Sequence, residues 1–104
     1  MTLRNVLSLD ELWEGEMVGL TVDGVPVVLV HLQDGVHAYE DRCGHQAVPL
    51  STGHLEANVL TCGAHGWCYD ACTGAGINPS NTWLRPLPVR VDHDQIFVDV
   101  EAGR

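Results

Sequence analysis

Short apolar runs separated by turn residues make up most of the chain. Leu3 to Leu7 reads as a first short strand. Ser8-Leu9-Asp10-Glu11 has the S-x-x-E form of a capping box, which predicts a single helical turn through Trp13, ended by Gly15. Glu16 to Val22 alternates loosely. Asp23-Gly24 is a hairpin signal, and Val25 to Leu32 is the return strand, with Pro26 near its start where a strand tolerates it. Gln33-Asp34-Gly35 predicts the next turn and Val36 to Glu40 the next strand. Leu50 to Leu55 is a connector turning at Gly53. Val59-Leu60-Thr61 is a short strand, and Trp67-Cys68-Tyr69 returns it. Asp70 to Gly76 reads as a turn-rich loop, and Ile77-Asn78-Pro79 begins another. Pro86 to Val91 and Gln95 to Val100 predict a closing hairpin around Asp92-His93-Asp94. There Val89, Val91, Ile96, Val98 and Val100 alternate with Arg90, Phe97 and Asp99, so one face is expected to be buried. Strands this short at this spacing predict an all-β antiparallel sandwich or barrel. A chain of 104 residues suits one domain, residues 1–104.

Two Cys/His clamps interrupt this β pattern. Cys43-Gly44-His45 follows the strand that ends at Glu40, and Cys62-Gly63-Ala64-His65 follows the strand that ends at Thr61. The frame is C-x-H-x16-C-x-x-H. A [2Fe-2S] centre of mixed ligation needs two thiolates on one iron and two imidazoles on the other. Two facing loops, each offering one ligand to each iron, satisfy it with Cys43, His45, Cys62 and His65. A zinc ion also accepts two Cys and two His, so a structural zinc-binding module is the rival reading. Structural zinc sites more often show C-x2-4-C with H-x3-5-H. A disulfide framework is weaker, because nothing in the chain marks a secreted protein.

Charge narrows the partners. There are 14 acidic residues against 5 basic ones, all Arg, for a formal net charge of −9. Nucleic acid is excluded as a partner, since phosphates need cations. Encounter with a basic protein surface is favoured. The longest apolar run, Val25 to Val30, is too short to cross a bilayer, and no apolar targeting segment follows Met1, so no membrane association and a cytoplasmic location are expected.

The frame, with Gly66-Trp67 after the last ligand, resembles the Rieske-type ferredoxins over essentially the whole chain. Thr73-Gly74-Ala75-Gly76-Ile77-Asn78-Pro79 resembles the T-G-x-G-I-N-P segment of the ferredoxin components of bacterial multicomponent toluene-type monooxygenases. Leu9 to Met17 resembles their N-terminal segment, and Cys43-Gly44-His45-Gln46 their C-P-H-Q, with Gly44 for Pro. The resemblance implies a Rieske-type antiparallel β-sandwich with a small cluster-binding subdomain of loops and short strands, about residues 41–80. It implies one [2Fe-2S] cluster and no catalytic residue. Such a protein is a one-electron carrier, a monomer in isolation. It takes electrons from an NADH-dependent flavin/iron–sulfur reductase and passes them to the di-iron hydroxylase component of an oxygenase for small aromatics or alkenes. The ferredoxin of a ring-hydroxylating dioxygenase is the alternative, and a nitrite-reductase-like small subunit the third.

Ligand charge sets the redox character. Two ferric irons, two sulfides and two thiolates sum to zero, so the first electron enters a neutral centre and the potential lies above that of an all-thiolate one. By the same resemblance, high-potential Rieske proteins carry a disulfide where this chain has Val48 and Ala64, and a Ser where it has Trp67; Tyr69 matches their Tyr. With fewer hydrogen bonds to sulfur, a potential on the order of −150 mV is expected, at the low end of the Rieske range. Cys68 is expected to be buried and inert, and Cys72 an exposed thiol. Trp67 is expected to shield the cluster, whereas Trp13 and Trp83 are expected simply to pack.

Overall fold

The computed structural model describes residues 3–42, 49–63, 66–78 and 80–101. Its strands form three antiparallel sheets. One contains β1 (Arg4–Ser8), β10 (Val89–Asp92) and β11 (Gln95–Val98), in the order β1-β11-β10. The central sheet orders β2 (Met17–Val22), β3 (Val25–Leu32), β4 (Gly35–Glu40) and β9 (Pro86–Leu87) as β2-β3-β4-β9. The third is a small meander of β5 (His54–Glu56), β6 (Val59–Thr61), β7 (Cys68–Asp70) and β8 (Gly76–Asn78).

β3 explains the layering. A strand covered on both faces reads as a continuous apolar run, and Val27, Val28, Leu29 and Val30 are each 0% exposed. Successive side chains point to opposite faces. Val27 and Leu29, with Val22, Val25 and Ala38, pack against Ile96 and Val98 of the first sheet. Val28, Val30 and Leu32, with Tyr39, pack instead against Leu60 and Tyr69 of the meander, together with Leu50, Cys62 and Leu84. The central sheet therefore lies between the sandwich partner and the layer that carries the second clamp.

Among the described residues, three of the two-residue hairpin turns share one backbone shape. Asp23-Gly24, Ala57-Asn58 and His93-Asp94 all have positive φ, between 50° and 81°, as the primed turns that match strand twist require. The first and third were legible as turn residues; Ala57-Asn58 was not.

Tyr39 bridges the layers, since its hydroxyl donates to the Ala71 carbonyl at 2.7 Å. Burial, then the negative charges of Asp70, Cys72 and Asp34, push this phenol above its ordinary value. The folded state holds the proton more tightly than the unfolded chain does. Its stabilising effect is complete below about pH 10, the unfolded tyrosine value, and is lost as the pH rises further. Denaturant titrations at pH 8 to 11.5 are expected to show stability falling above pH 10, with a shallower fall in Tyr39→Phe. That variant is also expected to cost about 1 kcal/mol at neutral pH for the lost hydrogen bond.

Several local expectations are corrected. The capping box does not form. Residues Leu9–Glu11 make one 3-10 turn with no side-chain cap, Ser8 Oγ donates to the Asp10 carboxylate at 2.5 Å, and Glu16, not Glu11, accepts from an amide, that of Trp13, at 2.8 Å. β5 lies in what reads as a connector, and β8 in what reads as a loop. Pro86-Leu87 pairs with β4 rather than with β11. The expected buried face holds at Ile96, Val98 and Val100 but not throughout: Val91 on the edge strand is 43% exposed and Asp99 only 2% exposed. β11 ends at Val98; the Asp99 amide then bonds the Pro88 carbonyl, and its carboxylate turns back to accept from the Glu101 amide at 2.9 Å. Trp13 and Trp83 do not pack; they are 70% and 68% exposed.

Candidate metal centre

Of the four expected ligands, Cys62 lies among the described residues; Cys43, His45 and His65 lie outside them, as do Gln46, Val48, Ala64 and Pro79. Cys62 leaves the end of β6 and is 2% exposed. Its amide donates to the Trp67 carbonyl at 2.7 Å, and its own carbonyl accepts from the Gly66 amide at 3.2 Å. These bonds close the loop that carries the second clamp, while the Thr61–Cys68 pairing holds its base. Gly66 takes a φ of +71°, which an L side chain rarely adopts. Trp67 packs against the core that contains Cys62, Leu50 and Leu60.

The first clamp sits in a segment whose two ends are tied together. Asp41, 8% exposed, accepts from the Ser51 amide at 2.9 Å and from Ser51 Oγ at 2.6 Å. Its own amide donates to the Pro26 carbonyl. The Thr52 hydroxyl donates to the Pro49 carbonyl at 2.7 Å. Beyond the tie, residues Thr52 and Gly53 press against the base of the other clamp. A Cβ on Gly63 would stand 3.2 Å from the Thr52 carbonyl oxygen, and one on Gly53 would collide with the Thr61 carbonyl oxygen. The segments leading to the two clamps are therefore held in contact.

The Asp41 tie was missed because its partner is ten residues away; the available signal was an acid just before one clamp and a Ser just after it. Asp41→Ala removes both bonds and strands the Ser51 amide. Hydrogen bonds to a charged group are each worth about 1.5–3 kcal/mol, so a loss of about 3 kcal/mol in unfolding free energy is expected. Ser51→Ala keeps the amide bond and is expected to cost less; a urea series of both proteins checks the order.

Two of the five arginines stand by Glu40, at the end of the strand that precedes the first clamp. Arg85 donates to Glu40 Oε2 at 2.6 Å, and Arg42 stands 3.7 Å from Glu40 Oε1. This edge is thus less acidic than the chain as a whole. Cys68 is partly exposed rather than buried, with its thiol 3.4 Å from the Gly66 carbonyl and 3.7 Å from Thr61 Oγ1. Cys72 is partly buried rather than exposed, and burial, then Asp34 and Asp70, push its thiol up. Neither forms a disulfide.

This arrangement fits a bound cluster. Cys62 is a buried thiol in no disulfide, set beside Leu50, Leu60 and Trp67 at the base of a closed loop. A thiolate ligand kept from water is suited to such a seat. The Gly-lined contact joins the segment that follows the first clamp, at Thr52 and Gly53, to the base of the second, at Thr61 and Gly63.

Comparison with known proteins agrees. Residues 3–88 match the Rieske [2Fe-2S] domain family. The ferredoxin component of the alkene monooxygenase system of Xanthobacter autotrophicus is 40% identical over 93% of this chain and 80% of its own length. The ferredoxin of carbazole 1,9a-dioxygenase from Nocardioides aromaticivorans superposes with a TM-score of 0.85 at 32% identity, covering 94% of this chain and 97% of that one. A solved complex of reduced oxygenase and oxidized ferredoxin of carbazole 1,9a-dioxygenase includes a chain with a TM-score of 0.84 at 26% identity, covering 92% and 91%. With its family match and its layered antiparallel sheets, the chain belongs to the Rieske [2Fe-2S] family and carries one [2Fe-2S] cluster.

Proposed function

We propose that this protein is the one-electron carrier of a multicomponent monooxygenase. It takes electrons from an NADH-dependent flavin/iron–sulfur reductase and delivers them to a di-iron hydroxylase acting on small alkenes or aromatics. The observation that carries this reading is the 40% identity to an alkene monooxygenase ferredoxin component across nearly the whole chain. The dioxygenase alternative is supported by the 32% identical carbazole dioxygenase ferredoxin, a weaker likeness. The protein is an electron-transfer component, not the catalyst.

Cys43 and Cys62 are the thiolate ligands of one iron, and His45 and His65 the imidazole ligands of the other. When bound, the cluster accepts and returns one electron at a time. The chain's own residues do the rest. Asp41 and Ser51 fix the ends of the first clamp segment. Gly53 and Gly63 let the two segments meet. Cys62 is kept from water by the core beneath it and by Trp67. Charge steers the encounters, since a chain of net charge −9 is drawn to basic partner surfaces. The shared cores on both faces of β3 support a single domain over residues 1–104, with residues 41–80 as its cluster-binding part. Among the described residues no helix is long and apolar enough to cross a membrane. In this reading the protein works as a monomer in the cytoplasm, where an NADH-dependent donor is available.

Stopped-flow mixing of the cluster-loaded protein with an NADH-dependent reductase, followed by turnover with an alkene monooxygenase hydroxylase, tests the reading. Rapid bleaching of the cluster and ferredoxin-dependent product formation are expected. A loaded protein that no such reductase reduces, and that speeds no hydroxylase, contradicts it. Coupling only to a dioxygenase terminal component establishes the alternative.

A further inference from the structure

Away from the clamp segments, three metal-binding side chains converge. Asp34, His37 and Cys72 bring one carboxylate oxygen, one imidazole nitrogen and one thiol sulfur within 4.8 Å of one another. Asp34 lies in the turn between β3 and β4, His37 on β4, and Cys72 just beyond β7. Two of the ligands thus come from the central sheet and one from the meander. His37 Nε2 already stands 3.0 Å from Asp34 Oδ1.

The backbone under these residues is well tied. The Cys72 amide donates to Asp70 Oδ1 at 2.9 Å, and the Ala71 amide to the Asn58 carbonyl at 2.9 Å. The Ala71 carbonyl receives the Tyr39 hydroxyl. His37 and Tyr39 are two apart on one strand, so both face the meander. The cluster ligands are not shared. β4 runs from this corner at Gly35 to the first clamp beyond Glu40, and β7 runs from the second clamp at Cys68 back to it.

We propose that Asp34, His37 and Cys72 form a second metal site, for a single zinc-class divalent ion, which staples the meander to the central sheet. One sulfur, one nitrogen and one oxygen leave a fourth tetrahedral position for water. Zinc takes such donors at about 2.0–2.3 Å, which sets neighbouring ligand atoms about 3.3–3.6 Å apart. Small side-chain adjustments within the observed 4.8 Å cluster reach that spacing. A thiol and an imidazole select against calcium and magnesium, which prefer all-oxygen shells. Asp70 next to the site and the net charge of −9 favour a cation there.

The test uses the cluster-loaded protein and Zn2+ alone. Native mass spectrometry counts the metal, and peptide mapping follows alkylation of Cys72, with Cys68 as internal reference. The expected result is one added zinc per chain, unchanged cluster absorbance, and alkylation of Cys72 slowed at least tenfold while that of Cys68 is not. Both effects are expected to disappear in His37→Gln, and the uptake in Cys72→Ser. The proposal is overturned if Zn2+ leaves Cys72 alkylation unchanged in the wild-type protein, or if His37→Gln and Cys72→Ser bind zinc as the wild type does.

Discussion

Cys62→Ala is expected to abolish the cluster, leaving a colourless protein with less than a tenth of the wild-type iron. Outer-shell partners alone are worth about 10–100-fold in metal affinity, so loss of a ligand costs more. The buried position of Cys62 sharpens the comparison with the other cysteines. Cys68 directs its thiol toward the Gly66 carbonyl and Thr61 within its own hairpin. Cys72 lies beyond the opposite end of β7. Cys68→Ala and Cys72→Ala should therefore keep their colour. Iron analysis and visible absorption of the three purified variants check the contrast, and a coloured Cys62→Ala protein would remove this residue from the ligand set.

The second large effect belongs to Gly53→Ala. The added methyl would drive into the Thr61 carbonyl oxygen and stand 3.0 Å from the Gly63 amide nitrogen. Both are backbone atoms flanking Cys62, so neither can rotate away. The strand end must shift, and overpacking of this kind costs about 3 kcal/mol or more. Displacement of the Cys62 segment relative to the first clamp should also lower cluster retention. Gly24→Ala is the matched control, with a positive φ of 81° but nothing within 4 Å of the new Cβ. It carries only the left-handed backbone cost of about 1–2 kcal/mol. Thermal unfolding of the loaded proteins, with cluster absorbance followed in parallel, separates the two: Gly53→Ala should lose colour and stability together, Gly24→Ala only a little stability.

What the sequence makes legible is what local chemistry encodes. Val25 to Leu32 reads as a strand and Asp23-Gly24 as its turn, because backbone preference and turn chemistry agree there; that both faces of the strand are covered is a matter of layering. Cys62 reads as a candidate ligand from its spacing to His65 and to the first clamp. Contacts between distant segments are not legible. Ser51 bonds Asp41 across the whole first clamp segment, and Gly53 reads as an ordinary turn residue although its role is to let Thr61 approach. β8 hides in a run of small residues, and Gly74 just before it, with a φ of +83°, packs against the Tyr39 ring. Gly74, part of the segment that resembles monooxygenase ferredoxins, thus also serves packing. Asp99 misleads because the strand alternation stops one residue before it. The corner formed by Asp34, His37 and Cys72 is invisible in the sequence, since its parts come from a turn, a strand and a loop that only the layering brings together.

Pulsed EPR of the dithionite-reduced, cluster-loaded protein tests the central claim most directly, since it reads ligand nuclei on the reduced centre. A single-electron-reduced [2Fe-2S] signal coupled to two imidazole nitrogens is expected, with both couplings present in Cys68→Ala and Cys72→Ala. A reduced cluster without strong nitrogen coupling, or a protein whose clamps hold zinc and give no signal, would contradict it.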